Sequence, residues 1–136
     1  MNNKLKIFAA PMLWALLIAV LCGLPGKDIP HISFLELLSF DKVVHTFIFF
    51  VLVLLIHLAV KKTPNKKNAI LYALCFSIPY GGMLEIMQQE FFTERTADIF
   101  DFMANTLGCC LAWAYLSVKN KLLIKKLIYK DLKNNS

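Results

Sequence analysis

Four apolar runs, at residues 7–24, 43–60, 69–89 and 99–118, alternate with polar or basic connections along this chain. Each run holds about 18–21 residues, so as a helix it reaches about 27–32 Å, the thickness of a ~30 Å hydrocarbon core. The pattern predicts an all-α polytopic membrane protein of one domain over residues 1–136, with four transmembrane helices. A fifth helix follows: over 119–136, Leu122, Leu123, Ile124, Leu127, Ile128 and Leu132 interleave with Lys121, Lys125, Lys126 and Lys130. Such a basic amphipathic helix suits the surface of an anionic leaflet. The first run follows Lys4 and Lys6, as a signal peptide would. Its apolar stretch exceeds the usual 7–15 residues and no small-x-small cleavage site precedes Pro25, so it is read as a span. Pro25-Gly26 ends it. In residues 25–40, Ser33 and Glu36 fit a capping box for a short interfacial helix. A linker that dips Phe34 and Phe40 into the headgroups fits equally. The third run is interrupted by Pro79 and by Gly81-Gly82. Pro79 cannot donate to the carbonyl of Cys75, which predicts a bend before Glu85.

Composition supports the membrane reading: 58% of residues are hydrophobic, against roughly 45–50% in soluble domains. The net charge of +6 matters less than its placement. Twelve of the 15 basic residues lie at Lys4 and Lys6, in the 61–67 loop and from Lys119 onward. Basic residues that flank apolar runs mark topology rather than nucleic-acid binding. The positive-inside rule then puts both termini in the cytoplasm, with residues 25–42 and 90–97 outside. Cys22, Cys75, Cys109 and Cys110 all lie in apolar runs without metal-ligand spacing and read as buried structural thiols.

This topology gathers the polar residues. Glu85 is 16 residues past Ala69, about 24 Å up its helix, near the outer boundary. Asp41 and His45 begin the second run there, and Asp98, Asp101 and Asn105 begin the fourth. Their spacings (i,i+4 for Asp41/His45, i+3 and i+4 from Glu85 to Gln88 and Gln89, and i,i+3,i+7 from Asp98) put one polar stripe on each of three helices. A carboxylate in the bilayer centre costs about 3 kcal/mol, so a retained one has a partner or a task.

Each residue also has a structural reading. Asp41 and Asp98 suit helix N-caps, Asp101 a pair with Arg95, and Asn105 an interhelical hydrogen bond. Gln88 and Gln89 suit interfacial amides. His45, one turn from Asp41, fits an oriented acid/base pair. Arg95, the only arginine, lies on the side that the charge rule disfavours and suits an anion clamp or a carboxylate partner. His31 and His57 lack such company. No nucleotide loop, His-Glu-x-x-His motif or nucleophile elbow is present. Glu85, His45, Asp98 and Asp101 have the chemistry of cation ligands, but their spacing does not demand a metal, and none is expected, nor any other cofactor.

Asp41-Lys42-x-x-His45, Gly82-x-x-Glu85-x-x-Gln88 and Arg95-x-x-Asp98-x-x-Asp101-x-x-Ala104-Asn105-x-x-Gly108 together resemble the VanZ-like family of small bacterial membrane proteins. Leu24-Pro25-Gly26 also fits. Thr93-Glu94 stands where relatives often carry Pro-Gly before the motif arginine. The resemblance implies a four-span envelope protein, in a family named for a protein associated with resistance to teicoplanin-type glycopeptides. It supplies no reaction, and whether the chain is an enzyme stays open.

Two functions fit these residues. In the first, an outer-leaflet site binds or modifies an anionic envelope lipid or lipid-linked cell-wall precursor. His45, Glu85, Asp41 and Asp101 would then be the catalytic candidates, with Arg95, Gln88, Asp98 and Asn105 holding substrate. In the second, the polar stripes only lock helix packing or a partner surface.

Overall fold

The computed structural model describes residues 3–23, 34–64, 66–91 and 98–134, with side chains over 6–23, 40–64, 66–90 and 98–134. Its order is α1 (Asn3–Cys22), α2 (Phe34–Lys61), a 3-10 turn (Lys66–Asn68), α3 (Ala69–Phe91) and α4 (Ile99–Asn134). No strand occurs among the described residues. The chain is an all-α membrane protein. Phe40–Lys61, Lys66–Glu90 and Ile99–Asn134 are long and apolar enough to cross a bilayer, and Lys6–Cys22 is a shorter apolar helix.

Two boundaries differ from expectation. The second helix begins at Phe34, not Val43, and runs unbroken into the span. Residues 34–40 are therefore not a separate interfacial helix, while Ser33 and Pro25-Gly26 lie outside the described residues. Leu, Phe and Glu are compatible with a helix, and neither Pro nor Gly separates Phe34 from the apolar run. The third helix passes through Pro79 and Gly81-Gly82 as one 23-residue element. The fourth is one helix of 36 residues, so the basic tail continues the span rather than forming a second helix. After Gly108 it has no Gly or Pro to break it.

The central element is α2. Phe49, Leu52 and Val53 are fully buried, and Ile48, Ile56 and Val60 nearly so, against Ile18 of α1, Ala73 and Leu84 of α3, and Cys109, Ala112 and Leu116 of α4. Apolar side chains face outward too: Leu13, Leu16, Phe47 and Met103 are all exposed, as a lipid-facing surface requires. Between lipid-covered helices, close packing and hydrogen bonds supply the attraction that water provides in soluble bundles. Small residues allow the packing, and a Cβ on Gly108 would land on the carbonyl oxygen of Thr46 in α2. Thr46 Oγ1 donates to the Ala104 carbonyl across the same contact at 3.2 Å. The first helix is tied down by side chains that donate to main-chain carbonyls. Trp14 Nε1 reaches Ile48 O at 2.9 Å, and Tyr80 Oη reaches Ala15 O at 2.6 Å.

Candidate functional site

Where α2, α3 and α4 meet at one end of the bundle, helical period brings their polar residues together. Asp98 begins α4 and is an N-cap: its Oδ1 accepts from Phe100 N–H at 2.8 Å, and its carbonyl accepts from the Asp101 and Phe102 N–H groups. One turn on, Asp101 faces α2. A further turn places Asn105 in the interior, 2% exposed.

Lys42 ties the rim. Its Nζ donates to Asp98 Oδ2 at 2.8 Å and to Asp101 Oδ1, and lies 3.8 Å from Asp41 Oδ2. The lysine ammonium holds the Asp98 carboxyl below the usual carboxylate range, and the Phe100 N–H adds to the effect. The expected partner of Asp101, Arg95, lies outside the described residues. Lys42 occupies that role.

Below the rim a chain of polar atoms runs inward. His45 Nε2 lies 3.6 Å from Asp41 Oδ1, and His45 Nδ1 is 3.0 Å from Asn105 Oδ1. The amide nitrogen of Asn105 donates to Glu85 Oε1 at 3.4 Å, while Glu85 Oε2 accepts from Asp98 N–H at 3.4 Å. His45, Glu85 and Asn105 are all buried; the Asp41 side chain is 44% exposed. The cluster is therefore open at Asp41 and closed at Asn105. The network assigns the imidazole tautomer. With its NH₂ on Glu85, Asn105 presents a carbonyl oxygen that only accepts, so His45 Nδ1 carries the proton. Nε2 is the nitrogen left to exchange a proton, and it points toward the open rim.

Asp41, His45, Lys42, Glu85, Asp98, Asp101 and Asn105 thus converge. Gln88 does not: its Nε2 donates to the Cys22 carbonyl at the end of α1, 2.9 Å away. Gln88 is offset from Glu85 by about 60° around the helix, enough for its longer side chain to reach a different neighbour, α1. In the structure its amide ties α3 to α1. Both ends of the Asn105 amide are used inside the network. Lys42 was missed as a site residue, although it stands between Asp41 and His45 on the lysine-poor side of the chain. Asp41, His45 and Asp101 each offer one ligand atom, all within 4.8 Å of one another, and are the group among the described residues able to hold a cation. Lys42 already supplies positive charge to two of these three.

A family model described as VanZ/LLP1 matches residues 6–120. The chain belongs to the VanZ/LLP1 family. The VanZ/LLP1 match takes in every residue of the cluster and ends as the lysine-rich extension of α4 begins. A Schizosaccharomyces pombe protein, described only as uncharacterized, is 38% identical over 72 residues, 53% of this chain. Those residues span 43% of the yeast protein, so less than half of that relative is represented here. No solved structure matches the chain.

Proposed function

We propose that the cluster is an acid–base site at the outer membrane boundary that acts on the polar head of an anionic envelope lipid or lipid-linked precursor. The observation that carries this reading is the commitment of His45 Nδ1 to Asn105, which leaves Nε2 facing Asp41 at the open rim. An imidazole with one nitrogen oriented and the other available is the arrangement general acid–base chemistry needs. Glu85 is the second candidate for proton transfer, and Asp101 and Asp98 position Lys42. Four carboxylates surround two basic side chains, Lys42 and His45, so the cluster alone repels an anion. Its anion-binding charge comes from Arg95 on the adjoining connection, or from a cation held by Asp41, His45 and Asp101.

The competing reading, a packing lock without chemistry, is favoured by Glu85, whose two oxygens both serve the first turns of α4. The two readings part at His45→Ala and Glu85→Gln. The site reading expects folded, membrane-inserted variants that fail to restore the envelope-lipid profile, or teicoplanin tolerance, of cells lacking the gene. Variants that restore both would remove the site reading in favour of the lock.

The orientation is part of the proposal: both termini in the bacterial cytoplasm, the site in the outer leaflet. Its support is the lysine distribution. With the native cysteines replaced, a cysteine at Thr93 should react with an impermeant reagent added to intact cells, and one at Asn65 should not. Labelling of Asn65 instead would invert the protein and place the cluster on the cytoplasmic side.

A further inference from the structure

The opposite end of the bundle carries a second feature, separate from the polar cluster. Below the Tyr80–Ala15 hydrogen bond, α1 and α3 leave a groove of about 450 Å³ over α2. Phe8, Met12 and Ala15 of α1, Ile56 of α2, and Tyr72 and Phe76 of α3 are among its lining residues. Met12, Tyr72 and Phe76 are 63, 45 and 52% exposed, so the groove opens sideways into the surrounding lipid. From Phe8 to Ala15 it runs about 10 Å along α1, most of one ~15 Å leaflet.

Charge at its mouth narrows what it takes. Val60 at the groove is followed at once by Lys61 and Lys62, Phe8 stands two residues after Lys6, and Tyr72 stands five and six residues after Lys67 and Lys66. All five lysines are exposed, and none belongs to an ion pair among the described residues. We propose that this groove is a binding site for one acyl chain of an anionic phospholipid, whose phosphate the lysines at the mouth hold. An acyl chain gains no hydrophobic free energy by leaving other chains for a protein groove. Selectivity therefore lies in the headgroup, and the groove sets where that lipid sits. The Tyr80–Ala15 bond closes the inner end, so the bound chain does not reach the polar cluster.

The test uses the full chain in nanodiscs, with phosphatidylglycerol and phosphatidylcholine probes carrying the same photoreactive acyl chain. Adducts are mapped by peptide mass spectrometry. Labelling at Met12, Tyr72 and Phe76 is normalised to Leu111 and Trp113, exposed residues on α4. The anionic probe should exceed the zwitterionic one at the groove by at least about fivefold, the effect of a single lysine beside an anionic lipid. The variant Lys6→Gln/Lys61→Gln/Lys62→Gln/Lys66→Gln/Lys67→Gln should bring that ratio close to one, and Ala15→Leu, which narrows the groove, should lower groove labelling by either probe. Equal labelling by the two headgroups would overturn the site. So would a ratio that survives loss of the five lysines, because the tail lysines, present in every arm, would then be its source.

Discussion

Gly108→Ala should destabilise the bundle more than any other glycine-to-alanine change in its described helices. The methyl group would meet the Thr46 carbonyl oxygen directly, with Thr46 C at 3.0 Å and Phe50 N at 3.1 Å. All three are main-chain atoms of α2, which move only if the whole helix moves. Overpacking typically costs 1–3 kcal/mol, and contact with backbone puts this case at the upper end, about 3 kcal/mol. At Gly82 the same methyl would meet only the Phe102 ring, at an ordinary 3.4 Å. Gly82→Ala is therefore the control. Thermal unfolding in one detergent should show a large loss for Gly108→Ala and little for Gly82→Ala. Equal midpoints for the two variants would mean that α2 and α4 do not approach this closely at Thr46.

Lys42→Met is expected to be the second most damaging change, for an electrostatic reason. It leaves Asp98 and Asp101 without the ammonium that both accept from, beside Asp41. Breaking a fully buried pair costs about 3–5 kcal/mol and an exposed one under about 1. With the Lys42 side chain 23% exposed and that of Asp101 14% exposed, an intermediate loss of about 2 kcal/mol is expected. Adding Asp98→Asn and Asp101→Asn removes the surplus negative charge and should recover much of the loss. A triple variant no more stable than Lys42→Met would show that the lysine acts through packing of its stem instead. If Lys42→Met melts with the wild type, the pairing contributes nothing measurable.

The cluster was legible in the sequence because two periodicities agreed. Helical spacing grouped Asp41 with His45 and Asp101 with Asn105, and the lysine distribution brought the relevant helix ends to one level. Partner choice was not legible. The lysine distribution marks topology, which hides Lys42 among the flanking charges, although its position between an acid and a histidine is the available signal. The tie from Gln88 to Cys22 is not legible because spacing along α3 identifies a shared face only coarsely, and nothing in it says where the end of α1 will lie. Helix ends were the least legible feature. A hydropathy run reports where lipid begins, whereas a helix ends only where propensity or a cap ends it, so α2 and α4 both overrun their apolar segments.

That overrun gives α4 mechanical reach. Its 36 residues extend about 54 Å, some 24 Å more than the hydrocarbon core, with Asp98 and Asp101 at one end and Asn134 at the other. About a pivot at Gly108 the far arm to Asn134 is about 39 Å long, so a tilt of about 10° displaces the far tip by about 7 Å. A rearrangement around Lys42 too small to disturb the core would thus be amplified at the opposite membrane face, with α4 as the lever and its crossing of α2 at Gly108 as the fulcrum.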